Sequence, residues 1–176
     1  MKNNILPWQI TGFAVTSIGG TLLHFLYDWS GQNRFAAIFS GVNESTWEHM
    51  KLLFFPMFAF ALIQSFFFKE NSAFFCIKLR GILLGLLLIP VLFCTYNGVI
   101  GKSPDWVNIA IFFIAAAAAF IFEARLMKRN ETECSAPGAA VIMLCLVALL
   151  FVIFTFEAPH IAIFRDPLTG SYGIEG

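Results

Sequence analysis

Five stretches of this chain are apolar over a length that can cross a lipid bilayer, and no other feature constrains the fold as strongly. A helix needs roughly 20 apolar residues to span the hydrocarbon core of a membrane. The chain has 176 residues, of which 59% are hydrophobic and 12% are charged, whereas about 25% of the residues of an ordinary soluble domain are charged. The five stretches run over Ile5–Tyr27, Leu52–Phe68, Gly81–Tyr96, Trp106–Phe122 and Ala139–Phe156.

This pattern predicts an all-α, polytopic membrane bundle of about five transmembrane helices, with residues 1–176 forming one integral membrane domain. Ile5–Tyr27 continues into polar and aromatic residues rather than a small-residue cleavage site, so we interpret it as a retained span and not as a signal peptide. The apolar piece Phe35–Val42 is too short to cross, which predicts a re-entrant or interfacial segment after the first span. A Ser-x-x-Glu capping box at Ser45 predicts that the next helix starts near Thr46.

Charge excludes one class of partner and orients the bundle. The chain has 11 Lys and Arg residues and 11 Asp and Glu residues, so no net field attracts nucleic acid, and we exclude nucleic acid as a partner. Basic residues accumulate in two links between spans, and such links favour the cytoplasmic side. We therefore predict a cytoplasmic amino terminus and an outer carboxyl terminus. The basic residues of the two links are Lys69, Lys78, Arg80, Arg125, Lys128 and Arg129.

The cysteines are distributed without a pair on the predicted outer face. Cys76 and Cys134 fall near the predicted inner face, Cys94 near the outer end of the third span, and Cys145 within the fifth. Disulfides form in oxidising compartments and are rare on the cytoplasmic side. We therefore predict no disulfide.

The histidines of the chain all fall at the predicted outer ends of spans. His24 is four residues before Asp28, and Glu157 and His160 have the i, i+3 carboxylate–imidazole spacing of metal-binding bundles. Ionisable groups near a membrane are costly and often functional, and a divalent metal offsets that cost by taking them as ligands. The pattern predicts a divalent metal, with zinc as the first choice. The predicted ligands are His24, His49, His160 and Glu157.

Each of these residues could also have a purely structural role, without catalysis or metal binding. Glu48 can serve only to close the capping box, and Asp28 and Glu44 can be ordinary surface carboxylates. A histidine near a membrane interface is often a hydrogen-bonded structural residue. Conversely, a site with two bridged metals would use Glu44, Glu48, Glu157 and Asp28 together with the histidines.

Three runs of residues resemble those of a family of small bacterial polytopic membrane proteins of unassigned function. The runs are His24–Gly31, Val42–Lys51 and Phe164–Ile174. The resemblance covers most of the chain and implies a protein of the bacterial inner membrane, without an activity.

A looser similarity in the type of site is to the membrane hydrolases of the alkaline ceramidase and adiponectin-receptor kind. In those proteins three histidines from different helices hold zinc near one membrane face, close to an Asp and a Ser. The similarity implies such roles for residues at the predicted outer end. These are His24, His49, His160, Asp28 and Ser45.

The leading hypothesis is therefore a membrane metalloprotein, a zinc-dependent hydrolase whose partner and substrate is a membrane lipid with an amide or ester bond. Three protein ligands and a water define a catalytic zinc site, because the open position generates a metal-bound hydroxide. Glu48 or Glu44 would be the general base, and Asp28 would orient His24 or the water. The candidates for donating hydrogen bonds to an oxyanion are Ser45, Asn43 and Tyr96.

Two alternatives belong to other classes of protein. The first is a cation- or proton-coupled transporter or small channel with the polar cluster at its outer mouth. It needs polar residues deeper in the bundle, for which the candidates are Thr11, Thr16, Ser17, Gln64, Ser65 and Thr95. The second is a non-catalytic scaffold subunit whose polar end docks another protein.

Overall fold

The computed structural model describes residues 5–101, 103–129 and 133–175, and within these residues it contains helices and no β-strand. This confirms the predicted all-α class. A single antiparallel bridge, Arg165 to Tyr172, closes a turn in the carboxyl-terminal segment. The α-helices of the described residues are α1 (Ile5–Trp29), α2 (Arg34–Ala37), α3 (Thr46–Ser65), α4 (Phe74–Val99), α5 (Asp105–Arg129) and α6 (Pro137–Phe156).

Four of these helices are long and apolar enough to cross a membrane, which indicates an integral membrane protein. They are α1, α4, α5 from Trp106, and α6. Helix α3 is not among them, because its first turns carry Glu48, His49 and Lys51. Its 20 residues nevertheless extend for about 30 Å, and it contacts α1, α4, α5 and α6. The bundle is therefore built around α3.

The chain alternates in direction through the bundle, which gives it two chemically different ends. The start of α1 packs on the end of α3, since the rings of Trp8 and Phe67 lie 4.6 Å apart between centroids. We call the end that holds His24 and His49 the histidine end. The opposite end, with Cys76 at the start of α4 and Cys134 in the link after α5, is the cysteine end.

Helix α1 approaches its neighbours closely because glycines lie at its contact points. An added Cβ at Gly20 would lie 2.6 Å from the Phe112 ring of α5 and 2.9 Å from the Leu52 carbonyl oxygen of α3. An added Cβ at Gly12 would lie 2.7 Å from the Phe60 ring. Small residues of this kind allow helix backbones to pack tightly where no water drives association. This packing places His24, one turn beyond Gly20, against α3.

The capping signal in the sequence locates the start of α3 correctly. Before it, the short helix α2 overlaps the beginning of Phe35–Val42, the segment predicted to be re-entrant or interfacial, and Asn33 caps α2 by accepting a hydrogen bond from Phe35 N–H at 2.8 Å. Helix α3 begins at Thr46, as predicted, with Ser45 as its N-cap. The capping box is only half formed, because Glu48 accepts from Val42 N–H at 3.1 Å instead of from Ser45 N–H.

The prediction of no disulfide is wrong for this structure, because Cys76 is bonded to Cys134. Their Cα atoms are 6.0 Å apart, within the usual range for a disulfide. The prediction considered only pairs on the outer face. Helices α4 and α5 are neighbours, however, so the start of α4 and the link after α5 meet at the cysteine end.

Candidate functional site

The loop before α3 positions a carboxylate at the histidine end. Ser45 Oγ caps α3 by accepting the Glu48 N–H at 3.3 Å. Asn43 Oδ1 accepts the Ser45 N–H at 2.9 Å, and Asn43 Nδ2 donates to the Gly173 carbonyl at 3.0 Å. These bonds hold the backbone of the loop on both sides of Glu44.

The Glu44 carboxylate lies between two imidazole rings. Its Oε1 is 3.7 Å from His24 Nε2, and its Oε2 is 3.5 Å from His49 Nε2. The two ring centroids are 5.7 Å apart. The other ring nitrogen of His49, Nδ1, is 2.9 Å from the Ser45 carbonyl oxygen. Because a carbonyl can only accept, this contact assigns the proton to Nδ1, and Nε2 faces the carboxylate.

These three side chains open into a cavity of about 270 Å³ at the histidine end. The side chains of His24, Glu44 and His49 are 34%, 39% and 19% exposed, so each is partly covered and still accessible. The cavity is bounded by α1, α3, the end of α4, the start of α5 and the carboxyl-terminal turn. Its other lining residues are Phe93, Asn97, Ser103, Asn108, Ile109, Pro167 and Leu168.

A hydrogen-bonded polar wall faces the histidines across the cavity. Asn97 Oδ1 accepts the Ser103 N–H at 2.9 Å, and Asn97 Nδ2 donates to the Phe93 carbonyl at 2.8 Å. Ser103 Oγ is 2.8 Å from Asn108 Oδ1. Sequence reasoning missed Ser103 and Asn108 as site residues. The available signal was Asn108 itself, an amide within an otherwise apolar span.

An apolar groove continues from the same side chains toward the outside of the bundle. It has a volume of about 140 Å³ and shares His24, His49, Asn108 and Ile109 with the polar cavity. Its walls include Phe25, which is 45% exposed, and Phe113, which is 37% exposed. In a membrane these side chains face lipid. The histidine end therefore combines a polar cavity with an apolar groove whose walls include exposed aromatic side chains.

Glu48 belongs to a buried ion pair and does not line the cavity. Its Oε2 lies 2.6 Å from Lys51 Nζ, and the two side chains are 2% and 0% exposed. Lys51 Nζ also donates to the Ala37 carbonyl and to Thr155 Oγ1, both at 2.8 Å. A carboxylate that is buried and paired in this way cannot reach a water molecule in the cavity. The geometry therefore gives no support to Glu48 as the general base. Lys51 and Thr155 were not recognised from sequence.

The remaining predicted site residues do not line the cavity. His160 is exposed and stacks on Tyr172 with a centroid distance of 4.5 Å. Glu157 is exposed at the end of α6, and Asp28 is exposed in the last turn of α1. Ser45 is 1% exposed and serves as a cap. The structure thus brings together His24, Glu44 and His49, and none of these four residues lines the cavity with them.

In the described part of the chain, no group of three or more His, Cys, Asp and Glu side chains is arranged to hold a metal ion. The three-histidine ligand set predicted from sequence is therefore not assembled. His24, Glu44 and His49 do lie together, with nitrogen–oxygen separations of 3.5 and 3.7 Å.

A second buried ion pair lies toward the cysteine end, where sequence analysis placed polar links. Lys78 Nζ of α4 is 2.6 Å from Glu123 Oε2 of α5, and the side chains are 1% and 0% exposed. The lysine also lies 5.5 Å from the centroid of the Phe120 ring. Glu123 Oε1 and both polar atoms of the Gln64 side chain are buried without a hydrogen-bond partner. Because α4 starts at Phe74 and α5 ends at Arg129, both charges are helical and internal.

The fold and these sites define the class of the molecule, an integral membrane helical protein with a polar cavity at one end. The chain belongs to the family of unknown function DUF6512, whose match covers residues 1–174. This agrees with the resemblance to an uncharacterised family. The comparisons with curated proteins and with solved structures gave no match.

Proposed function

We propose that this protein is a membrane metalloprotein that binds one divalent metal ion, with zinc preferred, through His24, Glu44 and His49, and hydrolyses an amide or ester bond of a membrane lipid. The observation that carries the proposal is the Glu44 carboxylate, whose two oxygens each face an imidazole Nε2 at 3.7 and 3.5 Å. Two histidines and a glutamate are a known ligand set of catalytic zinc.

The two nitrogen–oxygen separations between these donor atoms are close to those around a small bound ion. In a tetrahedral zinc site with bonds of about 2.0–2.1 Å, neighbouring donor atoms are roughly 3.4 Å apart. The nitrogen–oxygen separations of 3.5 and 3.7 Å exceed this value only slightly. As they stand, the three groups do not form a metal site, so binding requires their partly exposed side chains to move toward a common point.

The hydrogen bond of His49 also favours a cation at this position. With its proton on Nδ1 and donated to the Ser45 carbonyl, His49 presents the Nε2 lone pair to a carboxylate oxygen. Two acceptors facing each other repel unless a positive charge lies between them, and that charge is either a proton or a metal ion. Histidines that ligate metals commonly donate their other N–H to a backbone carbonyl in this way.

The cavity beside the trio supplies the other requirements of a hydrolase. His24, Glu44 and His49 would hold the metal and leave one position for water, and the metal would supply a water activated for hydrolysis near neutral pH. The polar wall of Asn97, Ser103 and Asn108 faces this position from across the cavity and is the candidate for binding a polar headgroup. In this proposal Glu44 would be a ligand of the metal, and Glu48, which is held in its buried pair with Lys51, would have no role as a base.

The apolar groove determines the proposed substrate class. It reaches the same histidines as the polar cavity and opens between α1 and α5 at Phe25 and Phe113. A lipid can place an acyl chain in this groove and its amide or ester bond beside the trio. A water-soluble substrate would gain nothing from the groove.

The first experiment measures metal binding to the purified full-length protein in detergent. After chelation and addition of Zn²⁺, we expect one zinc per chain by elemental analysis. His24→Ala, Glu44→Gln and His49→Ala should each weaken the affinity for zinc by about 100-fold or more. His160→Ala and Glu157→Gln, at the same end of the bundle, are matched controls and should bind zinc normally. Absence of stoichiometric zinc, or equal losses in the controls, would refute the proposal.

The second experiment measures hydrolysis. Zinc-loaded protein is incubated with micelles of a lipid ester and, separately, of a lipid amide, and release of fatty acid is followed. We expect release with at least one of them and its loss in Glu44→Gln. If the protein binds zinc but releases no fatty acid from either lipid, the metal site is supported and the proposed hydrolase activity is refuted.

A second candidate function, a transporter of protons or cations, is favoured by one observation. The buried face of α1 carries Gln9, Thr16 and Ser17, which are 3%, 0% and 9% exposed, and each has a polar atom without a partner. This face runs from the histidine end toward the Lys78–Glu123 pair. Proton or cation flux into liposomes containing the protein, abolished by Thr16→Val and by His24→Ala, would support transport over hydrolysis.

A further inference from the structure

The Cys76–Cys134 bond lies at the end of the bundle that is rich in exposed basic side chains. The bond joins the first turn of α4 to the link after α5, across a sequence separation of 58. Exposed lysines and arginines of the neighbouring segments surround this end. They are Lys69, Arg80, Arg125, Lys128 and Arg129.

The charge distribution places this bond where a permanent disulfide is not expected. Lys and Arg accumulate on the cytoplasmic side of membrane proteins. On the histidine end the exposed basic residues of the described chain are Arg34 and Arg165, because Lys51 is buried against Glu48. Cytoplasmic thiols are kept reduced, and disulfides that do form there are commonly transient and redox-sensing.

We propose that Cys76 and Cys134 form a reversible redox pair on the cytoplasmic side, oxidised by low-molecular-weight disulfides and reduced by low-molecular-weight thiols. The inference is independent of the metal site at the histidine end. Both cysteines are half-buried rather than enclosed, so a small reagent can reach them. The other two cysteines, Cys94 and Cys145, are exposed on the apolar surfaces of α4 and α6 and carry no disulfide.

The position of Cys76 suits it to react first. It is the third residue of α4, where unpaired backbone N–H groups favour a negative charge, and Arg80 lies one turn along the same face. Both features stabilise a thiolate, the reactive form of cysteine. Cys134 lies outside the helices and is the resolving partner.

The exchange proceeds in two displacements. The Cys76 thiolate attacks one sulfur of the small disulfide, whose S–S bond breaks and releases one thiolate. The Cys134 thiolate then attacks the Cys76 sulfur of the mixed disulfide and releases the second. Two protein thiols are oxidised to one disulfide, the small disulfide is reduced to two thiols, and the two cysteine protons pass to the released thiolates.

The Cys76–Cys134 bond forms next to the buried ion pair of Lys78 and Glu123. Lys78, which forms the buried ion pair with Glu123, follows Cys76 by less than one turn of α4. The oxidised pair ties the link after α5 to the start of α4 and so holds the two helices together next to this ion pair. The reduced pair lacks this covalent tie between Cys134 and α4.

The test uses the full chain with Cys94→Ser and Cys145→Ser, so that the pair alone reacts. Cells producing this variant are acid-quenched before and after a pulse of diamide, a thiol oxidant, and free thiols are tagged with a maleimide–polyethylene glycol that shifts the band on a gel. We expect two tags before the pulse, none after it, and two again once the oxidant is removed. The Cys76→Ser variant should keep its one tag after the pulse, whereas Cys134→Ser should lose its tag, because Cys76 then stops at the mixed disulfide.

Three results would overturn the proposal. The first is a pair already protected from tagging in untreated cells, which would indicate a permanent disulfide. The second is a pair that keeps both tags after diamide. The third is tagging of intact cells by a membrane-impermeant maleimide, which would place the pair on the outer side. A purified variant that equilibrates with reduced and oxidised glutathione, and unfolds at a higher temperature when oxidised, would support it.

Discussion

Lys51 Nζ lies 2.6 Å from Glu48 Oε2 in the interior of the bundle, one turn apart on α3, with both side chains excluded from solvent. The pair connects three elements, because Lys51 also donates to the Ala37 carbonyl of α2 and to Thr155 of α6. Burying two charges is costly unless each is paired and hydrogen-bonded. Here both conditions are met, so the pair positions α2 and α6 against α3 directly behind the loop that holds Glu44.

This pair predicts a strongly non-additive mutational response. Lys51→Met leaves the Glu48 carboxylate buried and unpaired, and should destabilise the protein by roughly 3–5 kcal/mol. Glu48→Gln removes the other charge and should also destabilise it. The double variant Glu48→Gln/Lys51→Met leaves no buried charge and should recover much of the loss. Unfolding in detergent with increasing denaturant measures all three. Additive losses would contradict a coupled pair.

The contact at Gly20 predicts that a single methyl group disturbs the site. In Gly20→Ala the new Cβ meets the Phe112 ring and the backbone oxygen of Leu52, so α1 must move away from α3. We expect a loss of about 1–3 kcal/mol in stability and weaker zinc binding, because His24 lies one turn further along α1. Gly98→Ala is the matched control, since nothing lies within 4 Å of its added Cβ. Equal behaviour of the two variants would argue against close packing at Gly20.

Replacing the buried Gln64 with an apolar residue is expected to raise the stability of the protein. Its amide is fully buried, and neither Nε2 nor Oε1 has a hydrogen-bond partner. An unsatisfied buried polar group costs about 1–3 kcal/mol, so Gln64→Leu should raise the stability, and the melting temperature in detergent will show it. Gln9→Leu serves for comparison, because Gln9 Nε2 contacts Met127 Sδ at 3.3 Å. A clear loss in Gln64→Leu would mean that bound water or another ligand satisfies this amide.

The proposed metal site predicts that zinc affinity falls as the pH is lowered. Histidine binds metal through a neutral nitrogen, so protons compete with zinc for His24 and His49. Zinc binding should therefore release protons, and calorimetry in buffers of different ionisation enthalpy counts them. Affinity that does not change between mildly alkaline and mildly acidic pH would exclude these histidines as ligands.

The histidine end shows where sequence reasoning succeeded. The capping signal at Ser45 is local, and it located the start of α3 and therefore the register of Glu44 and His49. The placement of His24 and His49 at the same end followed from alternating spans. His160 also reached that end, but it stacks on Tyr172. The path of the segment after α6 depends on contacts such as Asn43 with Gly173, which lie 130 residues apart.

The cysteine end shows where it failed. The sequence analysis assigned Lys78 and Glu123 to links between spans, because charged residues usually lie outside the apolar segments. In the structure the two side chains pair with each other, and this allows both to be buried within helices. Which cation meets which anion depends on the rotation of α4 and α5 about their axes. The same holds for Cys76 and Cys134, whose bond requires the neighbouring positions of those two helices.

The sequence by itself determined that this is an all-helical membrane protein, because the length and apolarity of its segments are local properties that only a bilayer accommodates. It also determined where α3 begins and which end of the bundle is rich in histidine. Only the tertiary structure decided that Glu44 lies between His24 and His49, that Glu48 and Lys51 are sealed inside, and that two cysteines meet. These relationships depend on which helix faces are in contact, and packing between distant parts of the chain fixes that choice.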